Sequence, residues 1–375
     1  MKRLAILSTH PIQYNAPLFS MLAQEKSIDL KVFYSKKTEQ VRFDKDFGQE
    51  ITWDVPLTNG YVHESFDAKE KKGRSELMAA IESFNPDALL VYGWNFDGHL
   101  ATMRHFHGSV PIWFRGDSTL LDPLPLWKRA LRKLTLNWVY RFVDRAFYVG
   151  QANRRYFLWC GLREDQLTYA PHAVDNEFFM ADDEKRQKEA LGIRNELGIA
   201  SEATVFMFAG KLEPKKQPIE LAEAFESIKA QAHLVYVGSG VLETQLKKRF
   251  DSNPRIHFVG FQNQSKMPVW YRVADVFCLP SRGPGETWGL AVNEALACGC
   301  KVIVSDRVGC AEDLIYSQKH SAVVDAEAHS AWSATMQNMT ELIQSPNYDY
   351  DGLAQHVASF NLGAFASSIK KHIHE

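Results

Sequence analysis

Residues 275–306 read "DVFCLPSRGPGETWGLAVNEALACGCKVIVSD". Two apolar runs, 275–280 and 301–306, enclose a glycine- and proline-rich loop and a short apolar segment ended by Gly299. Both runs are continuously hydrophobic rather than alternating, which suits strands covered on both faces. The loop chemistry of "SRGPGETWG" (281–289) predicts irregular backbone after the first run, and the spacing predicts a helix from about Gly289 to Gly299. Strand, loop, helix and strand in so short a span make one β/α unit of a parallel sheet.

The same pattern recurs along all 375 residues. In the first half the candidate strands are 3–8, 29–34, 88–93, 110–114, 145–150 and 166–170. In the second they are 204–210, 232–238, 255–260, 275–280, 301–306 and 321–326. A charged helical stretch within 179–200 separates the two series. The expectation is α/β: two doubly wound Rossmann-like domains facing across a cleft, 1–178 and 201–354, joined by that linker.

Hydrophobic residues make up 45% and charged residues 23% of the chain, values of an ordinary folded protein rather than a disordered one. The formal net charge of −2 gives no overall nucleic-acid footprint. Five cysteines, an odd number without any Cys-x-x-Cys, read as buried thiols of a reducing compartment. The opening "MKRLAILSTHPIQYN" is interrupted too early for a signal peptide, and no apolar run approaches the ~18 residues of a membrane span. A cytoplasmic protein is expected, one that can still lie on a membrane.

Ligands of open parallel sheets bind beyond the carboxyl ends of strands. There the sequence places two carboxylates eight positions apart, Glu286 on the loop and Glu294 one turn into the helix. Between them, the N–H groups near Gly289, Leu290 and Ala291 form a helix N-terminus suited to a phosphate. A carboxylate accepts two hydrogen bonds from a vicinal diol. Phosphate between and diols on both sides describe a nucleotide-sugar. A solvated helix residue and a loop charge are the plainer alternative, and from these two residues alone both stand. After the strand 204–210 comes "KLEPKKQP", whose Lys211 and Lys216 can balance a departing diphosphate without a metal. The Asp-x-Asp tracts at 44–46 and 349–351 read as surface turns. "VGSGVLE" (237–243) has Gly238 and Gly240, but Glu243 replaces the third glycine of a dinucleotide fingerprint, so glycines lining a base pocket fit better.

In this order, "GKL…KK" (210–216), "VGSG" (237–240), "HFVGF" (257–261), "YRVADVFCLPS" (271–281), the Glu-x7-Glu segment and "GCAEDL" (309–314) resemble the retaining glycosyltransferases of family 4, which have the GT-B fold. The resemblance implies that Glu294 binds the ribose, Glu286 the donor sugar, and Lys211 and Lys216 the diphosphate. It assigns Gly238 and the loop residues Gly285, Thr287, Trp288, Gly289 and Leu290 to the donor site. It also implies that a last helix, within 355–375, packs back on the first domain. Lys211 stands where the family more often has Arg, which loses the bidentate fork.

In the first half the likeness thins. The loop "STHPIQYNAPLF" (8–19) lacks the expected glycines and offers His10 instead. After 110–114 the family tends to show His-Asp, whereas this chain has "RGDS": Asp117 matches, and His10 or Arg115 is expected in the histidine's space. Trp94 and Asn95, after the strand 88–93, suit sugar stacking or a core turn. "APHAVDNEFF" (170–179) has His172-Ala173 where the family has Asn-Gly. Across 124–145, Trp127, Leu131, Leu134, Trp138 and Phe142 recur at helical spacing beside Lys128, Arg129, Arg132 and Lys133. The ordinary expectation is a helix packing this stripe inward; the alternative lies at a membrane interface.

The expected activity is transfer of a hexose from a nucleotide-sugar to a hydroxyl of a glycan or lipid-linked acceptor in cell-surface polysaccharide or glycoconjugate assembly. Retention of configuration is expected, without metal or cofactor, with peripheral contact at the inner face of the plasma membrane. A catalytically silent nucleotide-sugar-binding subunit and a GT-B epimerase are the competing readings.

Overall fold

The computed structural model describes residues 1–37, 42–44, 49–51, 53–229, 231–315, 321–345 and 357–374. The chain forms two compact units: 1–40, 55–175 and 360–375 make the first, 41–54 and 176–359 the second. In chain order the strands are β1 (Lys2–Ser8), β2 (Ile28–Tyr34), β3 (Arg42–Asp44), β4 (Gln49–Ile51), β5 (Val62–Ser65), β6 (Ala88–Tyr92), β7 (Ile112–Arg115), β8 (Arg145–Tyr148) and β9 (Leu167–Tyr169). They continue with β10 (Thr204–Ala209), β11 (Ala232–Val237), β12 (Ile256–Gly260), β13 (Val276–Leu279), β14 (Lys301–Ser305) and β15 (Ser321–Val324).

The first unit is built on a seven-stranded sheet in the order β5-β2-β1-β6-β7-β8-β9. All its pairings are parallel. Strand β1 shows why its run is continuous. Leu4 and Ile6 enter the core layer that contains the helices Ala16–Gln24 and Leu362–Ile373. Ala5 and Leu7 enter the opposite layer, with Leu77, Ile81 and Met103. Side chains alternate between faces, and both faces are covered. The C-terminal helix Leu362–Ile373 is held in this unit by Phe365 and Ile369 in the core and by Lys370, which donates to Glu25 at 2.8 Å. Edge strand β5 has no apolar run, and its four residues are exposed, so periodicity did not announce it.

The second unit carries a six-stranded sheet, β12-β11-β10-β13-β14-β15, again parallel throughout. The antiparallel pair β3-β4 is also assigned to this unit. The charged stretch expected as a linker belongs here too. Its helix Asp183–Glu196 packs against the helix Met267–Val273. Arg194 Nη2 donates to Asp275 at 2.9 Å and its Nε to the Val273 carbonyl at 2.8 Å.

Both sheets reverse direction beside their central strand, β1 against β6 and β10 against β13. At such a switch point the loops leaving two neighbouring strands diverge and open a crevice. In the second unit those loops are the ones bearing Lys216 and Glu286.

The helix Leu126–Tyr140 departs from the ordinary expectation. It turns Leu136, Val139 and Tyr140 into the core. Trp127, Leu131, Leu134 and Trp138, expected to pack inward, lie at the surface. Among the described residues, no helix is long and apolar enough to cross a membrane.

Candidate active site

In the second unit the loop after β13 is held from two sides. Arg282 N–H donates to the Lys215 carbonyl at 2.9 Å, joining it to the loop after β10. Gly309 and Cys310 donate to the carbonyls of Glu286 and Trp288, each at 3.0 Å. A Cβ on Gly309 would stand 1.7 Å from the Thr287 carbonyl oxygen, so only glycine permits that approach. Gly238, at φ +138°, plays the same part for the neighbouring loop: a Cβ there would meet the Gly210 oxygen at 2.0 Å. These contacts bring the "GKL", "VGSG" and "GETWG" segments into one layer.

Within this frame Lys216 Nζ donates to Glu286 Oε2 at 2.6 Å, and Ser281 Oγ donates to the same oxygen at 2.8 Å. Both charged side chains are largely withdrawn from solvent, at 18% and 12% exposure. Lys211 stands at the carboxyl end of β10, partly buried. The helix Leu290–Ala297 starts from Gly289 in the left-handed region at φ +93°. Of its first-turn N–H groups, that of Val292 donates to the Gly289 carbonyl at 2.9 Å, while those of Leu290 and Ala291 precede the first hydrogen bond the helix can make within itself.

Glu294 is 2% exposed. Tyr271 OH donates to its Oε2 at 2.7 Å and Gln264 Nε2 to its Oε1 at 3.3 Å. A solvated helix residue, the plainer alternative, is therefore not what Glu294 is. A buried carboxylate is retained only where donors surround it. Trp288 is oriented differently: its indole is buried and donates to Asn293 Oδ1 at 2.8 Å. The protein itself thus takes up the indole N–H, and the Trp288 carbonyl accepts from Cys310. Gly285 and Thr287 lie on the same loop, exposed and half-buried respectively. Ser281, Tyr271, Gln264 and Gly309 were not singled out from the sequence. Tyr271, Ser281 and Gly309 lie in the quoted motifs, but a hydroxyl inside an apolar run carries no signal until its partner is known.

The first unit corrects one expectation. Arg115, proposed for the histidine's space, is a buried strut. Its guanidinium donates to the carbonyls of Phe147 (3.3 Å), Ala170 and Pro171 (3.2 Å) and lies 4.1 Å over the Phe365 ring. Burial draws its pKa down to about 10, which still leaves it charged at neutral pH. A histidine does stand near Asp117, but it comes from elsewhere in the chain: His172 Nε2 is 3.9 Å from Asp117 Oδ2. Burial, then the Arg115 charge, hold the His172 pKa down to about 4. His10 lies after β1, its Nδ1 2.9 Å from Thr9 Oγ1. Trp94 and Asn95 line a cavity of about 550 Å³ together with Asp117 and Ser118. His99 anchors that loop from below, donating from Nδ1 to the Gly93 carbonyl at 2.9 Å while Nε2 meets Ser35 Oγ at 3.0 Å.

Among the described residues, no three His, Cys, Asp or Glu side chains are grouped so as to hold a metal ion. The Asp-x-Asp tracts at 44–46 and 349–351 lie largely or wholly outside the described residues.

Residues 191–348 match the family described as glycosyl transferases group 1. That segment, and with it the layer holding Lys216, Glu286 and Glu294, belongs to this family. Among curated relatives, the D-inositol 3-phosphate glycosyltransferase of Jonesia denitrificans is 31% identical over 170 residues, 42% of this chain and 38% of that protein. The lipopolysaccharide 1,2-N-acetylglucosaminetransferase of Salmonella typhimurium is 29% identical over 162 residues, 40% of this chain and 42% of that protein. The chain thus spans well under half the length of these curated relatives. Over their whole length, solved structures are similar. Anabaena HepE in complex with UDP and glucose superposes with a TM-score of 0.73 at 16% identity, covering 100% of both chains. The lipopolysaccharide outer core galactosyltransferase WaaB, in its apo form, gives 0.72 at 11% identity and covers 99% of both. The fold of this chain is GT-B.

Proposed function

We propose that the chain is a glycosyltransferase that moves a hexose from a nucleotide-sugar to a hydroxyl of a glycan or lipid-linked acceptor, in cell-surface polysaccharide or glycoconjugate assembly. The observation that carries this reading is the meeting of Lys216 with Glu286 at a switch point whose next helix buries Glu294. In this reading Glu294, oriented by Tyr271 and Gln264, accepts from the ribose diol. Glu286 receives the donor sugar's hydroxyls, and Lys216 and Lys211 face the diphosphate with the first-turn amides of Leu290–Ala297. Two ammonium groups and a helix N-terminus supply the positive charge that other transferases take from a metal.

Retention follows from a same-face transfer. The acceptor O–H proton passes to an oxygen of the leaving diphosphate as the bond from that diphosphate to C1 breaks and the acceptor oxygen bonds to C1. The protein's part is then positioning and charge stabilisation. Work on a lipid-linked acceptor places the protein at the inner face of the plasma membrane. Thermal shift against UDP-, GDP- and ADP-sugars tests donor binding. UDP-glucose goes first, because HepE, which shares the fold, has been crystallised with it. NMR of the product anomer, with and without EDTA, tests retention and metal independence. Slow donor hydrolysis without acceptor separates an enzyme from a silent binding subunit, which would show none.

A further inference from the structure

The two side chains that donate to Glu294 hang on one stretch of chain. Gln264 sits on the single 3-10 turn Gln264–Lys266, and Tyr271 on the helix Met267–Val273 that continues it. The two are fixed differently. Tyr271 is buried, its ring edge-on to Phe179 and Phe277, so the core holds it. Gln264 is half-buried on a surface turn, and its aim depends on what holds that turn.

The turn is capped from 211 positions away. Its first N–H groups have no carbonyl inside the turn to bind. That of Gln264 donates to Asn263 Oδ1 at 3.0 Å. That of Ser265 donates to Asp54 Oδ1 at 3.2 Å, and Ser265 Oγ donates to Asp54 Oδ2. Asp54 N–H in return donates to Asn263 Oδ1 at 3.4 Å. Beside it the Trp53 ring meets Phe261 edge-on, with centroids 6.4 Å apart. A carboxylate at the amino end of a turn that runs on into a helix is favoured by the dipole as well. Asp54 closes the segment 41–54, which lies in sequence between two strands of the first sheet, β2 and β5, but belongs to the second unit. Sequence spacing gives no sign of a cap supplied from so far away.

The capped turn begins at the residue whose side chain reaches Glu294 Oε1, at 3.3 Å. With Gln264 on one oxygen and Tyr271 on the other, the plane of the carboxylate is set and its remaining lone pairs face one way. Without Gln264 the terminal torsion of Glu294 is soft. Resting on the transferase reading above, in which Glu294 accepts from the ribose diol, we infer that Asp54 is a positioning residue for the donor nucleotide. It holds the turn that aims Gln264 at Glu294, and so sharpens the choice of ribose over deoxyribose.

The test uses the full chain. Calorimetric titration with UDP, GDP and ADP finds the tightest of the three, which is then compared with its 2′-deoxy counterpart. The parent protein should prefer the ribonucleotide by about tenfold or more. Asp54→Ala should weaken the ribonucleotide about three- to tenfold and leave the deoxynucleotide within about twofold, so that the preference shrinks. Gln264→Ala should do the same, and the double variant should lose no more than the stronger single one, because both act through one hydrogen bond. In transfer assays the loss should fall on donor KM rather than kcat. Retained deoxynucleotide binding shows that the variants are folded. If none of the three nucleotides binds, the transferase reading fails. If the parent binds ribo- and deoxynucleotide alike, the ribose role of Glu294 fails. If the parent shows the preference but Asp54→Ala keeps it whole, or weakens both nucleotides equally, or adds fully to Gln264→Ala, the positioning role of Asp54 is overturned.

Discussion

Lys216 and Glu286 lie 70 positions apart, yet the ammonium and carboxylate meet at 2.6 Å. The sheet order explains it, because β10 and β13 are hydrogen-bonded neighbours although two strands intervene in the sequence. Each residue sits on the loop leaving one of them. In the proposed reaction the pair loosens as the lysine turns to the growing charge of the diphosphate. Lys216→Ala should therefore lower kcat by about 10²–10³-fold with a smaller effect on donor KM. Steady-state transfer kinetics check this, and unchanged turnover would remove the charge-balancing role.

Glu294 is expected to act on binding. Glu294→Ala should raise donor KM by about tenfold or more, since hydrogen bonds to a charged group are worth about 1.5–3 kcal/mol. Tyr271→Phe keeps the ring and removes only the phenol that orients the carboxylate, so it should move KM the same way by less. If donor affinity rests elsewhere, both titrations will match the parent protein.

Two glycines give opposite signs. Gly309→Ala pushes a methyl into the Thr287 carbonyl, and should cost about 1–3 kcal/mol of stability together with donor affinity. Gly192 lies exposed inside the helix Asp183–Glu196 with nothing within 4 Å of its would-be Cβ. Gly192→Ala should stabilise the protein by about 0.5–1 kcal/mol. Thermal unfolding of the two variants reads both; a stabilised Gly309→Ala would refute the close-approach argument.

Stability should fall on acidification. Burial lowers the pKa of His99 and His233 to about 4, and that of His172 likewise. His233 additionally faces His257, at 2.9 Å between ring nitrogens. Above the ordinary histidine value of about 6.5 these rings are neutral folded and unfolded, so they add no pH dependence. Below it the unfolded chain takes up protons that the folded one refuses. Stability is therefore lost as pH drops from about 6.5 to about 4. Urea unfolding across that range checks the slope, and His99→Gln should flatten it.

Arg115→Met should act on the fold rather than on one chemical step. It removes the donor shared by the Phe147, Ala170 and Pro171 carbonyls and the cation over Phe365, loosening the C-terminal helix. Stranded buried carbonyls cost about 1–3 kcal/mol each. A lowered unfolding midpoint with donor affinity preserved in the folded fraction is the expected result. Full stability would contradict the strut.

Sequence alone was enough for the twelve apolar strands and two parallel sheets, for the loop-to-helix turn at Gly289, and for Glu286, Glu294 and Lys216 as candidates. Burial on two faces and turn chemistry are written locally, and the switch-point rule says which strand ends matter. The tertiary structure alone decided that Arg115 is a strut and that His172 is the histidine beside Asp117. It also placed 179–200 within the second unit and left the stripe of Leu126–Tyr140 facing solvent. Each of these depends on which distant surface a side chain meets, and a helix with two apolar sides looks the same in sequence whichever one the core takes.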